Sequence, residues 1–328
     1  MRAAVYRRFG APEVVALAEI PTPAPGPQEV LIKVFASTVS AADHRARSRE
    51  VPKGLGMLAS VGLGLFRPRH RVLGMDAAGV VEAVGEKVTT FSPGDEVIAM
   101  LGGTFGGHAE YALIGQDGAI ALKPAGMSFD EAVALVFGGI TARAYLNRTD
   151  IRPGSRVLVN GASGAVGTAA VQLAAALGAQ VTAVCAARNA GLVTALGADR
   201  VIDYATEDFT AGTETYDVIM DCVGNASFDR VRQLIAPGGA LLLVITDLDG
   251  ILRATSRSRR SGMLVSASGV DYRADDLEHL VGLAESGRLR PVIDRSYDLA
   301  EIVAAHRFVD AGHKRGAVVL RIAGGGSL

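Results

Sequence analysis

At 328 residues the chain exceeds the size at which one hydrophobic core stops growing, so two domains are expected. Its 33 basic and 34 acidic residues nearly cancel, which provides no global field to draw in nucleic acid or an anionic membrane and makes a small-molecule ligand the better expectation. No uninterrupted apolar run reaches the roughly 20 residues of a membrane span. The opening "MRAAVYRRFGAPEVV" lacks a signal-peptide core, and Cys185 and Cys222 form neither a disulfide framework nor a CxxC metal motif. A soluble, cytoplasmic protein with reduced, buried thiols is expected.

Residues 1–120 read as short strands separated by Gly, Pro and Asp: "RAAVYR", "EVLIKVFAST", "AAGVVEAVG", "DEVIAM" and "HAEYALI". After "KPAG" (123–126) the texture changes. Ser128 followed three positions later by Glu131 is a capping box that opens a helix. Strands at 156–160, 180–185, 200–203, 216–221 and 240–244 then alternate with helices at 165–177, 189–196 and 226–235. Such alternation predicts an α/β domain with a parallel sheet and helices on both faces. Gly178 and Gly197 stand where helices end, and "PGG" (237–239) turns the chain into the next strand. Further on, "DLEHLVGLAESG" and "AEIVAAHRFVDAG" read as helices, "PVIDRSYDL" and "GAVVLRI" as strands returning to the first domain, and the tail "AGGGSL" as frayed.

"VLVNGASGAVG" (157–167) places Gly161, Gly164 and Gly167 between a buried strand and an Ala-rich helix. Gly161 permits a tight turn, Gly164 lets backbone approach a pyrophosphate, and Gly167 lets the helix pack close to the strand. Ser163, Ala165 and Val166 complete the loop and helix start, whose free N–H groups suit an anion. About twenty residues on, where an acid would hold both ribose hydroxyls of NAD, the chain reads "CAARN" (185–189). With Arg188 in that place, a 2′-phosphate can be clamped by charge-assisted bonds, which points to NADPH. The alternative is an arginine that merely begins a solvated helix. Tyr204, in "VIDY", is a second candidate for the adenosine end.

Ahead of the loop stands "VLGMDAAGVVEAVGEKVTTFSPGDEVIAM" (72–100). With the opening segment, "GGITA", "NGASGAVG", "VIDY", "DCVG" and "GHKRGAVVLRI", it resembles the medium-chain dehydrogenase/reductase superfamily, in its zinc-free quinone oxidoreductase branch. The resemblance covers almost the whole chain. It implies a GroES-like β-rich catalytic domain (1–123 and 270–328), a doubly wound Rossmann domain (124–269) that binds NADPH, an active site in the cleft between them, and a homodimer. Zinc-dependent relatives bind their metal with a Cys, a "GHE" pair and a further Cys. Here Ser40, Met75–Asp76 and the apolar residues around Val136–Phe137 stand in those places, so zinc is not expected. Without that Lewis acid, quinones and α,β-unsaturated carbonyls are the expected substrates.

In "STVSAADHRAR" (37–47), Ser40, Asp43 and Arg45 occupy places where the family has Asn, Asp and Lys near the nicotinamide. Ser40 and Arg45 are candidates to bond the substrate oxygen while Asp43 orients them. In the alternative, Asp43 caps a helix and Arg45 is a surface residue. Thr141 corresponds to the family threonine near the nicotinamide, and backbone around Asp221–Gly224 and Val244–Thr246, Val223 and Val244 included, is expected to line the other side. Lys314 and Arg315 are expected to be exposed. "GLGMLASVGLGLFRPRHR" (54–71) is expected to be a flap over the cleft, with contact to a membrane holding lipophilic quinone as the alternative. "RATSRSRRSG" (253–262) is expected to be a solvated loop. Enoyl-thioester reduction is a rival activity, and a non-catalytic NADPH-binding sensor or scaffold a rival class.

Overall fold

The computed structural model describes residues 1–267, 269 and 271–322. In chain order it begins with β1 (Arg2–Tyr6), β2 (Val15–Glu19), β3 (Glu29–Thr38), α1 (Ala41–Ser48), α2 (Gly56–Leu63), β4 (Asp76–Val84), β5 (Glu96–Met100), β6 (Tyr111–Gly115), β7 (Ala119–Leu122) and α3 (Phe129–Leu146). It continues with β8 (Arg156–Asn160), α4 (Ala165–Ala176), β9 (Gln180–Cys185), α5 (Ala190–Ala195), β10 (Arg200–Asp203), β11 (Tyr216–Asp221), α6 (Phe228–Val231), β12 (Ile235–Leu243), α7 (Leu248–Ser261) and β13 (Leu264–Ser266). Last come α8 (Ala274–Glu285), β14 (Ile293–Asp298), α9 (Ile302–Asp310) and β15 (Ala317–Arg321).

Two compact units result. The first is Met1–Val51, Gly56–Ile140 and Tyr272–Leu328; the second is Pro52–Leu55 and Thr141–Asp271. In the first, a sheet runs in the order β14-β15-β3-β4-β5-β7, with β6 also paired to β3, and β1-β2 form a separate hairpin. Every pairing is antiparallel except that of β14 with β15. Branched aliphatic residues on β3, Val30, Ile32 and Val34, meet Ala77, Val97, Val318 and Leu320 in one core. Residues 36–38 of β3 pair with residues 319–321 of β15, so the two ends of the chain build one sheet.

The second unit holds a six-stranded parallel sheet in the order β10-β9-β8-β11-β12-β13. The inner strands β8, β9 and β11 are buried along nearly their whole length, as runs such as "RVLVN" and "QVTAVC" require when helices cover both faces, and the edge strand β10 less so. Leu158, Val184, Ile202, Ile219, Leu241 and Val265 share its core. Three strands step outward from β8 on one side and three follow from β11 on the other, so the topological switch point lies between β8 and β11.

Several expectations need correction. The helix predicted at 189–196 is a 3₁₀ turn, Ala187–Asn189, followed by the short α5. That at 226–235 shrinks to α6 plus a 3₁₀ turn, and β12 begins at Ile235. "PGG" therefore lies inside the strand as a bulge: pairing jumps from Tyr216↔Ile235 to Val218↔Ala240, with Gly238 at φ +76. Residues 253–261 of the basic segment are not a loop but the C-terminal part of α7. Asp247 caps the helix through Gly250 N–H at 2.8 Å, and Asp249 bonds Arg253 one turn on at 2.7 Å. Gly262 at φ +71 then ends it. The segment "AGGGSL" (323–328) lies outside the described residues.

Candidate cofactor-binding and active site

β8 delivers the chain to Gly161, whose φ of +79 makes the tight turn; a Cβ there would stand 2.8 Å from Val223 Cγ2. Gly164 is extended at φ −78, and its nearest neighbour to an added Cβ is Gly161 O at 3.5 Å, so that face is open. At Gly167 an added Cβ would lie 2.2 Å from Gly161 O and 2.7 Å from the Ala162 Cα, which fixes how closely α4 packs on the end of β8. Gly164 is the N-cap of α4 and offers no side chain to it. The N–H groups of Ala165, Val166 and Gly167 are left for an anion, beside the positive end of the helix.

Across from this loop, β9 ends at Cys185, and Arg188 projects from the 3₁₀ turn that follows. Its guanidinium is exposed and has no hydrogen bond or ion pair among the described residues. Next to it, Asn189 is buried and donates Nδ2–H to Ser163 Oγ at 3.0 Å, tying the turn to the glycine loop. Asn189 Oδ1 is buried without a partner. Tyr204 follows β10, its N–H 3.4 Å from Cys185 O and its ring more than half exposed. Burial, with the Asp203 carboxylate, pushes the Cys185 thiol up, and burial beside Asp221 does the same to Cys222, so neither is primed as a nucleophile.

At the switch point, the fully buried Asp221 organises the loop after β11. Its Oδ1 accepts from Asn160 Nδ2 (2.8 Å), Val223 N (2.9 Å) and Gly224 N (3.0 Å), and its Oδ2 from Ala226 N (2.8 Å). Asn160 Nδ2 also reaches Asn225 Oδ1 at 2.6 Å, and Val244 N donates to Asp221 O at 3.0 Å. Val223 is thereby held half-exposed on a rigid loop. Asn160 and Asn189 were missed from sequence. For Asn160 the available signal was an amide ending an apolar strand run, since a buried polar group needs partners. Thr141, in α3, is buried with Oγ1 unbonded.

In the first unit, Ser40 and Asp43 form the capping box of α1. Asp43 Oδ2 accepts from Ser40 N (2.8 Å) and Ser40 Oγ (2.6 Å), Asp43 Oδ1 accepts from Gly74 N (2.8 Å), and Ser40 Oγ accepts from Ala42 N and Asp43 N. Both side chains are buried, and the capping alternative holds for Asp43. Arg45 is neither a surface residue nor a paired one: it is half-buried, without a partner among the described residues, and burial lowers its pKa. Asp76 is fully buried, its carboxylate taking hydrogen bonds from Thr38 N (2.7 Å), Thr38 Oγ1 (2.6 Å) and Ser37 Oγ (3.2 Å), and burial lifts it to about 7. Arg315 is exposed as expected, but Lys314 is half-buried, donates to Gly316 O at 2.6 Å and is lowered to about 8 by burial.

The places that hold zinc in metal-dependent relatives do not fit it. Ser40 and Asp76 are committed to the protein's own hydrogen bonds, and Met75 offers only a weak thioether. Among the described residues no three His, Cys, Asp or Glu side chains stand together as a ligand group.

Comparison with known proteins accords with both units. Residues 26–124 match the family described as alcohol dehydrogenase GroES-like domain, and residues 196–320 the family described as zinc-binding dehydrogenase. The chloroplastic quinone-oxidoreductase QR1 of Triphysaria versicolor is 31% identical over 340 residues, covering 98% of each chain. The mitochondrial NAD(P)H oxidoreductase RTN4IP1 of Mus musculus is 31% identical over 333 residues, covering 90% of this chain and 82% of that one. The solved quinone oxidoreductase from Coxiella burnetii superposes with a TM-score of 0.87 at 28% identity, covering 98% of this chain and 99% of its own. With a GroES-like unit and a parallel-sheet Rossmann unit, the chain belongs to the medium-chain dehydrogenase/reductase superfamily of oxidoreductases.

Proposed function

We propose that the chain is an NADPH-dependent, zinc-independent oxidoreductase that reduces quinones or the C=C bond of α,β-unsaturated carbonyls, acting as a cytoplasmic homodimer. In this reading residues 124–269 bind the cofactor and residues 1–123 with 270–328 supply the catalytic side. The observation that carries it is Arg188: an exposed guanidinium without a partner, at the end of the second strand of a doubly wound sheet, next to an uncapped helix start.

When bound, NADPH supplies the hydride. The chain's own residues do the rest. Backbone N–H groups of Ala165, Val166 and Gly167 hold the pyrophosphate, Arg188 clamps the 2′-phosphate, and Tyr204 borders the adenosine. Asn189 and Asp221 keep the two loops in place, while Val223 and Val244 line the nicotinamide side and Thr141 offers its unpaired hydroxyl. Arg45, half-buried and without an anion, donates to the substrate oxygen, and Ser40 with Asp43 fixes the helix start that carries it. Quinones and enones suit such a site because conjugation spreads the developing negative charge, so orientation and a few donors suffice without a Lewis acid.

Following NADPH absorbance against a benzoquinone, a naphthoquinone, a conjugated enone and a crotonyl thioester tests the proposal. Turnover on a quinone or enone is expected. Preference for the thioester would replace it with enoyl-thioester reduction, and tight NADPH binding without turnover on any of the four would leave a binding protein.

A further inference from the structure

The segment from α2 to Arg71 presents an apolar surface that nothing in the first unit covers. Helix α2, "GMLASVGL", buries none of its residues. Met57 is 83% exposed, Val61 76% and Phe66 86%, with Leu58 and Leu65 also exposed. Apolar side chains gathered in this way mark a surface that meets something other than water.

The surface is held in shape. Arg49, the C-cap of α1 in the left-handed conformation (φ +61), stacks over the Phe9 ring at 4.8 Å and donates to Leu65 O at 2.8 Å and to Ser60 Oγ. Gly64, at φ +109, lets the chain turn so tightly that a Cβ there would fall 2.1 Å from Arg67 O. Arg69 N closes the turn on Leu63 O at 2.8 Å. Leu65, Phe66 and Arg67 therefore stand at the tip of a fixed turn.

Charge indicates the occupant. Arg67, Arg69 and Arg71 are exposed, and Tyr6 N donates to Arg71 O at 2.9 Å, which brings the exposed Arg7 and Arg8 alongside. None of these five guanidinium groups has an ion pair or hydrogen-bond partner among the described residues. On a chain whose net charge is −1, this is a local concentration of positive charge bordering an apolar tip. A protein partner would need an apolar pocket ringed by acids. A bilayer with anionic headgroups offers both properties over any area, and matches apolar side chains flanked by arginines at the headgroup level.

We infer that this face docks the protein on the surface of an anionic lipid bilayer, with Phe66, Met57 and Val61 entering the interface and the arginines holding the headgroups. No helix among the described residues is long and apolar enough to cross a membrane, and the contact is one of lying on the surface. The inference is independent of the proposed reductase activity.

The chain contains no tryptophan, so Phe66→Trp installs a single tryptophan at the tip, which can be excited apart from the tyrosines. Titrating this variant with phosphatidylcholine vesicles containing about one-third phosphatidylglycerol is expected to shift its emission to the blue, with at least roughly tenfold weaker binding to phosphatidylcholine alone or in high salt. In the same background, R67S/R69S/R71S is expected to lose the response while circular dichroism shows the fold intact. No lipid-dependent shift, or one unaffected by removing the arginines, overturns the inference. So does a shift that follows protein concentration alone, which would assign the face to a second copy, or a water-soluble quinone alone, which would assign it to a closing flap.

Discussion

In the proposed reading Arg188 takes the place of an acid that would repel a 2′-phosphate, and no anion among the described residues pairs with it. Arg188→Ala is expected to weaken NADPH binding about ten- to hundredfold with NADH unchanged, measured by fluorescence titration of both cofactors. Equal loss for both would refute the clamp. Gly167 and Gly164 make a contrasting pair. Gly167→Ala forces a Cβ against backbone and is expected to cost about 1–3 kcal/mol, seen as a lower Tm without cofactor. Gly164→Ala has room and should leave that Tm nearly unchanged while weakening cofactor binding. His306 is fully buried in α9 with neither ring nitrogen bonded, and burial lowers its pKa from 6.5 to about 2. Below pH 6.5 the unfolded chain takes up a proton that the folded chain refuses, so stability falls as pH is lowered through that range. Asp76, raised from 3.8 to about 7, has the opposite slope: the unfolded carboxyl ionises first, and stability falls as pH rises between those values. His306→Leu and Asp76→Asn should each flatten their own limb of a Tm–pH profile. Gly161 and Gly167 were legible because a positive φ and a close backbone approach admit few residue types. Asn160 and Asn189 were not, because their roles depend on partners that only folding supplies.

At the scale of elements, helix α1 is a product of its caps. "AADHRARS" has no apolar periodicity, and the box between Ser40 and Asp43, with Gly74 N–H bonded to Asp43, fixes where it starts. The strands of the parallel sheet were legible as buried aliphatic runs and α1 only as the capping alternative at Asp43, whereas α2, β2 and β7 are short and weakly patterned and give no such signal. Residues 253–262 read as a loop because four arginines suggested solvation. In the helix, Arg253 and Arg257 find Asp249 and Asp229, pairs that a linear reading does not bring together. Asp247→Ala, which removes the cap of α7, is expected to cost about 0.5–2 kcal/mol in a denaturant titration. Ser128→Ala, at the capping box that opens α3, should cost a similar amount.

For the whole molecule, overall composition concealed local organisation: a nearly neutral chain still exposes Arg7, Arg8, Arg67, Arg69 and Arg71 on two segments joined by Tyr6 N–H to Arg71 O, none of them ion-paired among the described residues. The two-unit plan was legible from the change in texture after residue 126, while the excursion at residues 52–55 and the crossing within α3, after Ile140, were not. Residues 52–55 belong with the second unit, where Lys53 O accepts from Leu248 N at 3.1 Å, although both flanks belong to the first. The first unit depends on β15, whose Val318 and Leu320 are fully buried and which pairs with both β14 and β3. Deleting residues from Ala317 onward is expected to prevent that unit from folding, visible as loss of soluble protein and of near-ultraviolet circular dichroism. The same pairing sets an order of events during synthesis. The second unit's sheet can close once residue 266 has left the ribosome, but residues 36–38 of β3 wait for residues 319–321. At about 5–20 residues per second, that strand edge stays open for roughly a quarter of a minute to a minute. β3 can pair with β4 and β6 in the meantime, but its edge at residues 36–38 stays open, so yield in a cell should depend on chaperones that shield this edge until the last strand arrives.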